Sequence, residues 1–330
     1  MAEVTLLSEA DLRACIALDQ HSIDAIEQAF LSLATAAVAM PPILRLDIPE
    51  YNGEVDVKTA YLPGLARFAI KVSPGFFDNP TLGLPSLNGM MMLLSARTGL
   101  LDALLLDNGY LTAIRTAAAG AVAARWLSRE NSRSVALIGA GEQAALQLQA
   151  LRLVRPIEQV RVWARDEAKA LAFAAQLPRD GALNVRVCTS VDAALDGVDI
   201  VITTTPSREP LIHARHLQPG LHITAMGSDA EHKNEIAPAA LAGVDRYVAD
   251  RLSQTRLLGE LHHALAAGAI GDGSAFAELG QVIAGQRPGR TDQGQITLVD
   301  LTGTGAQDTA IANLAFERAL AANKGVRFGA

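Results

Sequence analysis

From Ser134 onward, short β-branched and aliphatic runs alternate with alanine-rich amphipathic stretches. The order is SVALIGAG, a helical segment to about Leu153, VRVWAR, a helix through EAKALAFAAQL, VRVCTS, a short helix around VDAAL, DIVITTT and HITAMGS. Strand-sized runs separated by helices predict a parallel, doubly wound sheet. The first third reads differently. A helical stretch near SIDAIEQAFLSLATAAVAM precedes Pro- and Gly-punctuated segments such as RFAIKVSPGFFDNP, which suit strands of a mixed sheet. LTAIRTAAAGAVAARWLSRE predicts a long helix carrying the chain from one lobe to the other. TGTGAQDTAIANLAFERALAANKG predicts a last helix, placed back against the first lobe. The expected class is α/β: a doubly wound parallel sheet over 117–304, with an α+β lobe formed by 1–116 and 305–330.

Composition narrows the partners. The 330 residues are half hydrophobic and only 4% aromatic, enough to bury two moderate cores. Lys and Arg number 28 against 35 Asp and Glu, a formal charge of −7, and no basic run stands out, which argues against nucleic acid and anionic membrane. The opening MAEVTLLSEADLRA carries acids where a signal peptide carries bases, and no apolar run reaches the ~18 residues that span a bilayer. A cytoplasmic protein is expected. Cys15 and Cys188, without metal-like spacing, read as buried small hydrophobes. His262 and His263 are adjacent without supporting ligands, so no metal site is indicated.

The strand-turn-helix at Ser134 carries the first chemistry. Gly139, Gly141 and Ala144 give G-x-G-x-x-A, an accepted form of the dinucleotide fingerprint. The first glycine makes the tight turn and the second lets backbone amides approach a pyrophosphate. The small third residue lets helix pack on strand, and the phosphate sits at the helix's positive end. The sheet is accordingly expected to be of Rossmann type. The second strand ends in Arg165-Asp166: Arg165 suits a 2′-phosphate and Asp166 a free ribose hydroxyl, and both are also ordinary helix-start residues. NAD is preferred, with NADP open. Thr203, Thr204 and Thr205 fall at the carboxyl end of a strand, where such sheets bind ligands.

Two cations stand in apolar surroundings, Lys71 in RFAIKVS and Arg115 in LTAIRTAA, and each needs an anion nearby, either a structural partner or a substrate carboxylate. Asp229, in MGSDAEHKNEI, is a carboxylate just beyond a parallel strand. Taken alone it also suits the cap of a following helix.

Together GLPSLNG, LTAIRTAAAGAVAARWL, VALIGAGEQA, VRVWAR, LQPGLHITAMGSDAEHKNEI and LVDLTGTGAQDTAIA resemble the ornithine cyclodeaminase and mu-crystallin family, over nearly the whole chain and in the family's order. AMGSDAEHKNEI most resembles the ectoine-utilisation branch, which includes the iminosuccinate reductase of the β-hydroxyaspartate cycle. The resemblance implies a homodimer formed through the first lobe, and a small 2-imino or amino acid whose carboxylate is held by Arg45, Lys71 and Arg115 between the lobes. It implies Asp229 as the catalytic carboxylate beside the nicotinamide, with Lys71 and Arg115 assisting. It further implies substrate contacts from Ser86, Thr302 and Gly303. Cofactor contacts are implied from Thr116, Gly139, Ala140, Gly141, Glu142, Gln143, Arg165, Asp166, Thr204, Thr205, Met226, Gly227 and Asp229. Lys233 and Glu235 match the pattern and can simply fix the loop. His232 stands where the cyclodeaminase pattern has glycine and would suit a second substrate carboxylate, although a solvated loop histidine is the commoner case. The activity implied is reduction of a 2-imino acid by NAD(P)H, with iminosuccinate to L-aspartate preferred. A cyclodeaminase that regenerates its NAD is the alternative, and a non-catalytic binder like mu-crystallin a third reading, against which Asp229 argues.

Overall fold

A computed structural model describes residues 3–177 and 183–329. The chain forms two compact units, Met1–Thr116 with Thr304–Ala330, and Ala117–Gly303. In chain order the first begins with β1 (Glu3–Ser8), α1 (Glu9–Cys15), α2 (Gln20–Thr35), β2 (Leu44–Ile48), β3 (Gly53–Ala60), β4 (Arg67–Phe76), β5 (Met90–Ser95), β6 (Leu101–Leu106) and α3 (Tyr110–Leu127), within which the chain passes to the second unit. There follow β7 (Ser134–Ile138), α4 (Glu142–Arg152), β8 (Gln159–Trp163), α5 (Glu167–Gln176), β9 (Asn184–Val187), α6 (Val191–Leu195), β10 (Ile200–Thr203), β11 (His222–Ala225), α7 (Pro238–Ala242), β12 (Arg246–Ala249), α8 (Leu252–Thr255), α9 (Gly259–Ala266), β13 (Ala277–Glu278), α10 (Leu279–Ile283) and β14 (Thr297–Asp300). α11 (Gly305–Ala321) and β15 (Val326–Gly329) complete the first unit.

The first unit's sheet runs β15-β1-β6-β5-β4-β3-β2, with β1 and β6 parallel and the other pairs antiparallel. α1 and α2 start where Ser8 and Asp19 accept from backbone N–H groups three residues on, satisfying donors that a helix start otherwise leaves open. α2 ends at Thr35, short of the stretch expected to run on through AAVAM. Ala39 instead exchanges backbone hydrogen bonds with Tyr61, and Pro41-Pro42 follow, so pairing overrides the helix propensity of alanine. α11 packs on β3, β4 and α2, and nearly every residue from Gly305 to Phe316 is buried. Two features set its register. A Cβ on Gly305 would stand 2.3 Å from the Thr59 carbonyl oxygen, so only glycine permits the approach. Thr309 Oγ1 donates to the Ala60 carbonyl at 2.8 Å and accepts from Ala69 N at 3.0 Å, which aims the preceding residue, Asp308, at the sheet.

The second unit's sheet is parallel throughout, ordered β13-β12-β14-β11-β10-β7-β8-β9. It is the doubly wound α/β sheet expected, and one apolar cluster covers each face: Leu137, Leu148, Val160 and Ile202 on one, Ile138, Val201, Ile223 and Leu298 on the other. β11, β10, β7 and β8 are neighbours, and the strand order reverses beside β7. In such sheets the crevice beyond the carboxyl ends at that reversal is the ligand edge. Among the described residues no helix is long and apolar enough to cross a membrane.

Candidate functional site

The ligand edge of the second unit is built around Gly139. Its φ of +123° lies where only glycine is comfortable, and a Cβ would stand 2.4 Å from Thr204 Oγ1. The turn is held by Gly139 N donating to Trp163 O at 2.8 Å and Thr204 N to Ile138 O at 2.9 Å, so β7, β8 and β10 end together. Gly141 is the residue before α4, offers that helix no side-chain cap, and has open space where a Cβ would be. Ala144 is fully buried where helix meets strand. Uncapped N–H groups, clear space and a helix start make a cradle that fits a pyrophosphate. Ala140, Glu142 and Gln143 surround it in sequence. Beyond β8, Asp166 Oδ1 accepts from Ala168 N at 3.0 Å and Lys169 N at 3.3 Å, so the acid expected on the ribose is the cap of α5. Arg165 beside it is exposed.

Beyond β10 and β11 a single carboxylate gathers the edge. Glu235, fully buried, accepts from Thr203 Oγ1 (2.6 Å), Thr205 N (2.6 Å), Thr205 Oγ1 (2.7 Å) and Gly227 N (2.8 Å). Burial holds its carboxyl above the usual range despite those four donors. Gly227 is trapped: a Cβ there would fall 2.3 Å from Thr205 O and 2.4 Å from Glu235 Oε2. After the buried Met226 and this glycine comes Asp229, half-exposed, with Lys233 Nζ donating to its Oδ1 at 2.5 Å. No helix starts there, because the chain turns back through Ser228 Oγ and the Lys233 carbonyl, so Asp229 is not the helix cap that the sequence alone allowed. His263 Nε2 lies 2.7 Å from the same carbonyl. His232 is exposed on this loop. Thr302 N and Gly303 N both donate to Asp250 Oδ2 at 2.7 Å, and Gly303 has φ +79°.

The first unit holds a buried charge cluster. Lys71, on β4, and Arg115, on α3, converge on Asp308 of α11, with Lys71 Nζ 3.2 Å from Oδ1 and 3.1 Å from Oδ2, and Arg115 Nε 3.0 Å from Oδ1. Arg115 Nη1 also donates to Gln307 Oε1 at 3.0 Å. All three charged side chains are almost without solvent contact. Burial, the charge of Arg115 and that of Lys58, the cross-strand neighbour of Lys71, outweigh Asp308 and bring the Lys71 ammonium down from 10.5 to about 7. Burial alone would push the Asp308 carboxyl up, but Lys71, Arg115 and Lys58 hold it below its ordinary value. Asp308 and Gln307 escape sequence reading, since QD in the first turn of an alanine-rich helix looks like a solvated start. Arg45 lies on β2 and pairs with Asp47 at 2.8 Å and with Glu54, not with Asp308. Thr116 is the helical neighbour of Arg115. Ser86 sits in the loop before β5, its carbonyl accepting from Phe76 N at 2.8 Å.

Comparison with known proteins agrees with this architecture. An uncharacterized cyclodeaminase of Sinorhizobium fredii is 59% identical over 320 residues, 97% of each chain. The Δ1-pyrroline-2-carboxylate reductase of Thermococcus litoralis, solved with NADH and L-proline, superposes with a TM-score of 0.92 at 30% identity, over 98% of this chain and 99% of that one. The iminosuccinate reductase of Paracoccus denitrificans, solved with NAD+, gives 0.89 at 29% identity, over 99% and 100%. The family model for the ornithine cyclodeaminase/mu-crystallin family matches residues 3–323, and the chain belongs to that family.

Proposed function

We propose that the protein is an NAD(H)-dependent reductase of a small 2-imino acid, with iminosuccinate to L-aspartate as the preferred reaction. The observation that carries this reading is the buried convergence of Lys71 and Arg115 on the carboxylate of Asp308, with Lys58 a third buried cation beside them. Buried charge is costly unless matched, and a substrate carboxylate supplies the second anion. Arg45 and Ser86, in the same unit, are further proposed substrate contacts, and His232, Thr302 and Gly303 are those that the family resemblance implies in the other unit.

Reduced nicotinamide would supply the hydride, and solved relatives hold NADH or NAD+. The cradle at Gly139–Gly141 fits its pyrophosphate. Thr116, Ala140, Glu142, Gln143, Arg165, Thr204, Thr205, Met226 and Gly227 are the further proposed contacts, with Asp166 retained only alongside its capping role. As the imine carbon accepts the hydride, its nitrogen takes a proton. Asp229 is the group proposed to hydrogen-bond that nitrogen and manage its proton, with Lys233 setting its charge. Lys71 and Arg115 orient the carboxylate, and orientation supplies much of the rate.

The test mixes the protein with NADH, oxaloacetate and excess ammonia, which form iminosuccinate in solution, and follows loss of reduced nicotinamide. Aspartate formation, abolished in Asp229→Ala, supports the reading. NADH oxidation with Δ1-pyrroline-2-carboxylate but not iminosuccinate moves the substrate to a cyclic imine. Ammonia release from ornithine with catalytic NAD, and no net NADH use, establishes the cyclodeaminase chemistry named for the Sinorhizobium relative.

A further inference from the structure

Behind the Asp229 loop stands a ladder of buried carboxylates whose hydrogen bonds are to backbone and hydroxyl groups. Its base is Asp300, the last residue of β14, hydrogen-bonded by Tyr247 Oη at 2.8 Å. Asp300 Oδ2 accepts from Glu260 N at 2.9 Å and Leu261 N at 3.1 Å, the first turn of α9. That helix comes so close only because Gly259, with φ +69°, starts it: a Cβ there would be 2.8 Å from Asp300 Oδ1. The next rung is the side chain of Glu260, which accepts from Glu235 N (3.0 Å) and Ile236 N (3.0 Å). The third is Glu235, whose carboxylate ties Thr203, Thr205 and Gly227, two residues before Asp229. A continuous line of short hydrogen bonds thus runs from the centre of the sheet to the backbone of the Asp229 loop.

Several features separate this line from ordinary loop bracing. Carboxylates are among the costliest groups to bury, and backbone N–H groups pair equally well with carbonyls, so three acids in a row hold this loop at a high free-energy cost. Burial, together with the charges of Asp300 and Glu235, raises the Glu260 carboxyl well above its ordinary range. A loop that only had to be stable would be better served by apolar contacts. What these carboxyl groups give instead is directional bonds to fixed backbone N–H groups, which hold the 227–229 backbone within the tolerance proton transfer needs.

We propose that Glu260 is a positioning residue for the reaction, acting through Glu235 and Gly227 to hold Asp229 in register with the ligand edge. This rests on the reading of Asp229 as the proton-handling group, and the experiment keeps the two apart. Glu260→Gln retains one of the two acceptor oxygens that the 235 and 236 amides use, whereas Glu260→Ala removes both. With NADH and the imine both saturating, kcat of Glu260→Ala falls roughly 10- to 100-fold, with KM for the imine changing less than about 3-fold, and Glu260→Gln recovers part of the loss. Amide hydrogen exchange, read without turnover, accelerates in Glu260→Ala at residues 227–229 as well as at 235 and 236. Exchange changes confined to 235 and 236, or a kcat equal to wild type below the melting temperature, overturn the proposal. If Glu260→Ala does not fold, Glu260→Met, which keeps the side-chain volume but offers the 235 and 236 amides no carboxyl oxygen, carries the same two readouts, and unchanged exchange at 227–229 there again overturns the proposal. If wild type reduces no imine, the functional reading fails by itself, and the exchange result still decides whether Glu260 governs the Asp229 loop.

Discussion

Lys71 lies in the interior of a sheet, and its position makes it a titrating group in the working range. With Asp308 as its partner, burial still brings its ammonium down to about 7. A substrate carboxylate binds the protonated form, so kcat/KM for an anionic imine falls as pH rises through about 7, and Lys71→Arg, with its far higher pKa, moves that limb upward. A pH profile of kcat/KM from 5.5 to 9.5 checks both. The same shift has a sign in stability. Between about 7 and 10.5 the unfolded chain binds more protons than the folded one, so the cost of burying Lys71 is full below pH 7 and shrinks as pH rises towards 10.5. Asp308 is the counter-ion that makes the cluster tolerable. Asp308→Asn leaves Lys71 and Arg115 facing each other without a carboxylate and is expected to cost roughly 3 to 5 kcal/mol in urea unfolding, the range for breaking a buried pair. The two cations were legible because they interrupt apolar runs. Asp308 was not, because its polar neighbours mimic a helix start and only the packing of α11 on β3 and β4 reveals where it points.

At the scale of elements, the parallel sheet is legible wherever a strand carries β-branched residues and is followed by a helix, as from β7 to β11. β13, two residues long, and β14, set among Gly and Thr, have too little periodicity to be seen. The turn at Gly139 was legible for a stronger reason, since its spacing answers a steric demand. A side chain there would collide with Thr204 and strain a positive φ. Gly139→Ala is therefore expected to weaken NADH binding by about 10-fold or more while leaving far-UV circular dichroism unchanged, as read by nicotinamide fluorescence titration. Gly141→Ala, which enters open space, tests something different: the protein tolerates the methyl, and any loss of affinity reports on the ligand that would share that space.

For the molecule as a whole, the formal charge of −7 argues against nucleic acid as a partner, and the apolar surface of the first unit suits another. β2 is an edge strand of its sheet, and Leu44 and Leu46 on it are 61% and 54% exposed; Leu82 and Leu87, in the loop before β5, are 73% and 65% exposed. An edge strand with bare leucines is a pairing hazard that single-chain proteins normally blunt with charge or cover. A second copy is the cover that fits a family resemblance implying a homodimer through this unit. Light scattering after size exclusion at micromolar concentration should then give twice the chain mass. Leu46→Lys with Leu87→Lys should shift the peak to the single-chain mass, because each lysine would have to be desolvated at the shared face. A wild type that elutes as one chain, or a double variant that stays paired, would remove this face from the assembly. Because Arg45 stands between the two exposed leucines of β2, paired with Asp47 and Glu54, the same variant also reports on function. If pairing holds Arg45 where it meets the substrate carboxylate, KM for the imine rises on dissociation while NADH affinity, set at the Gly139 turn, stays as it was.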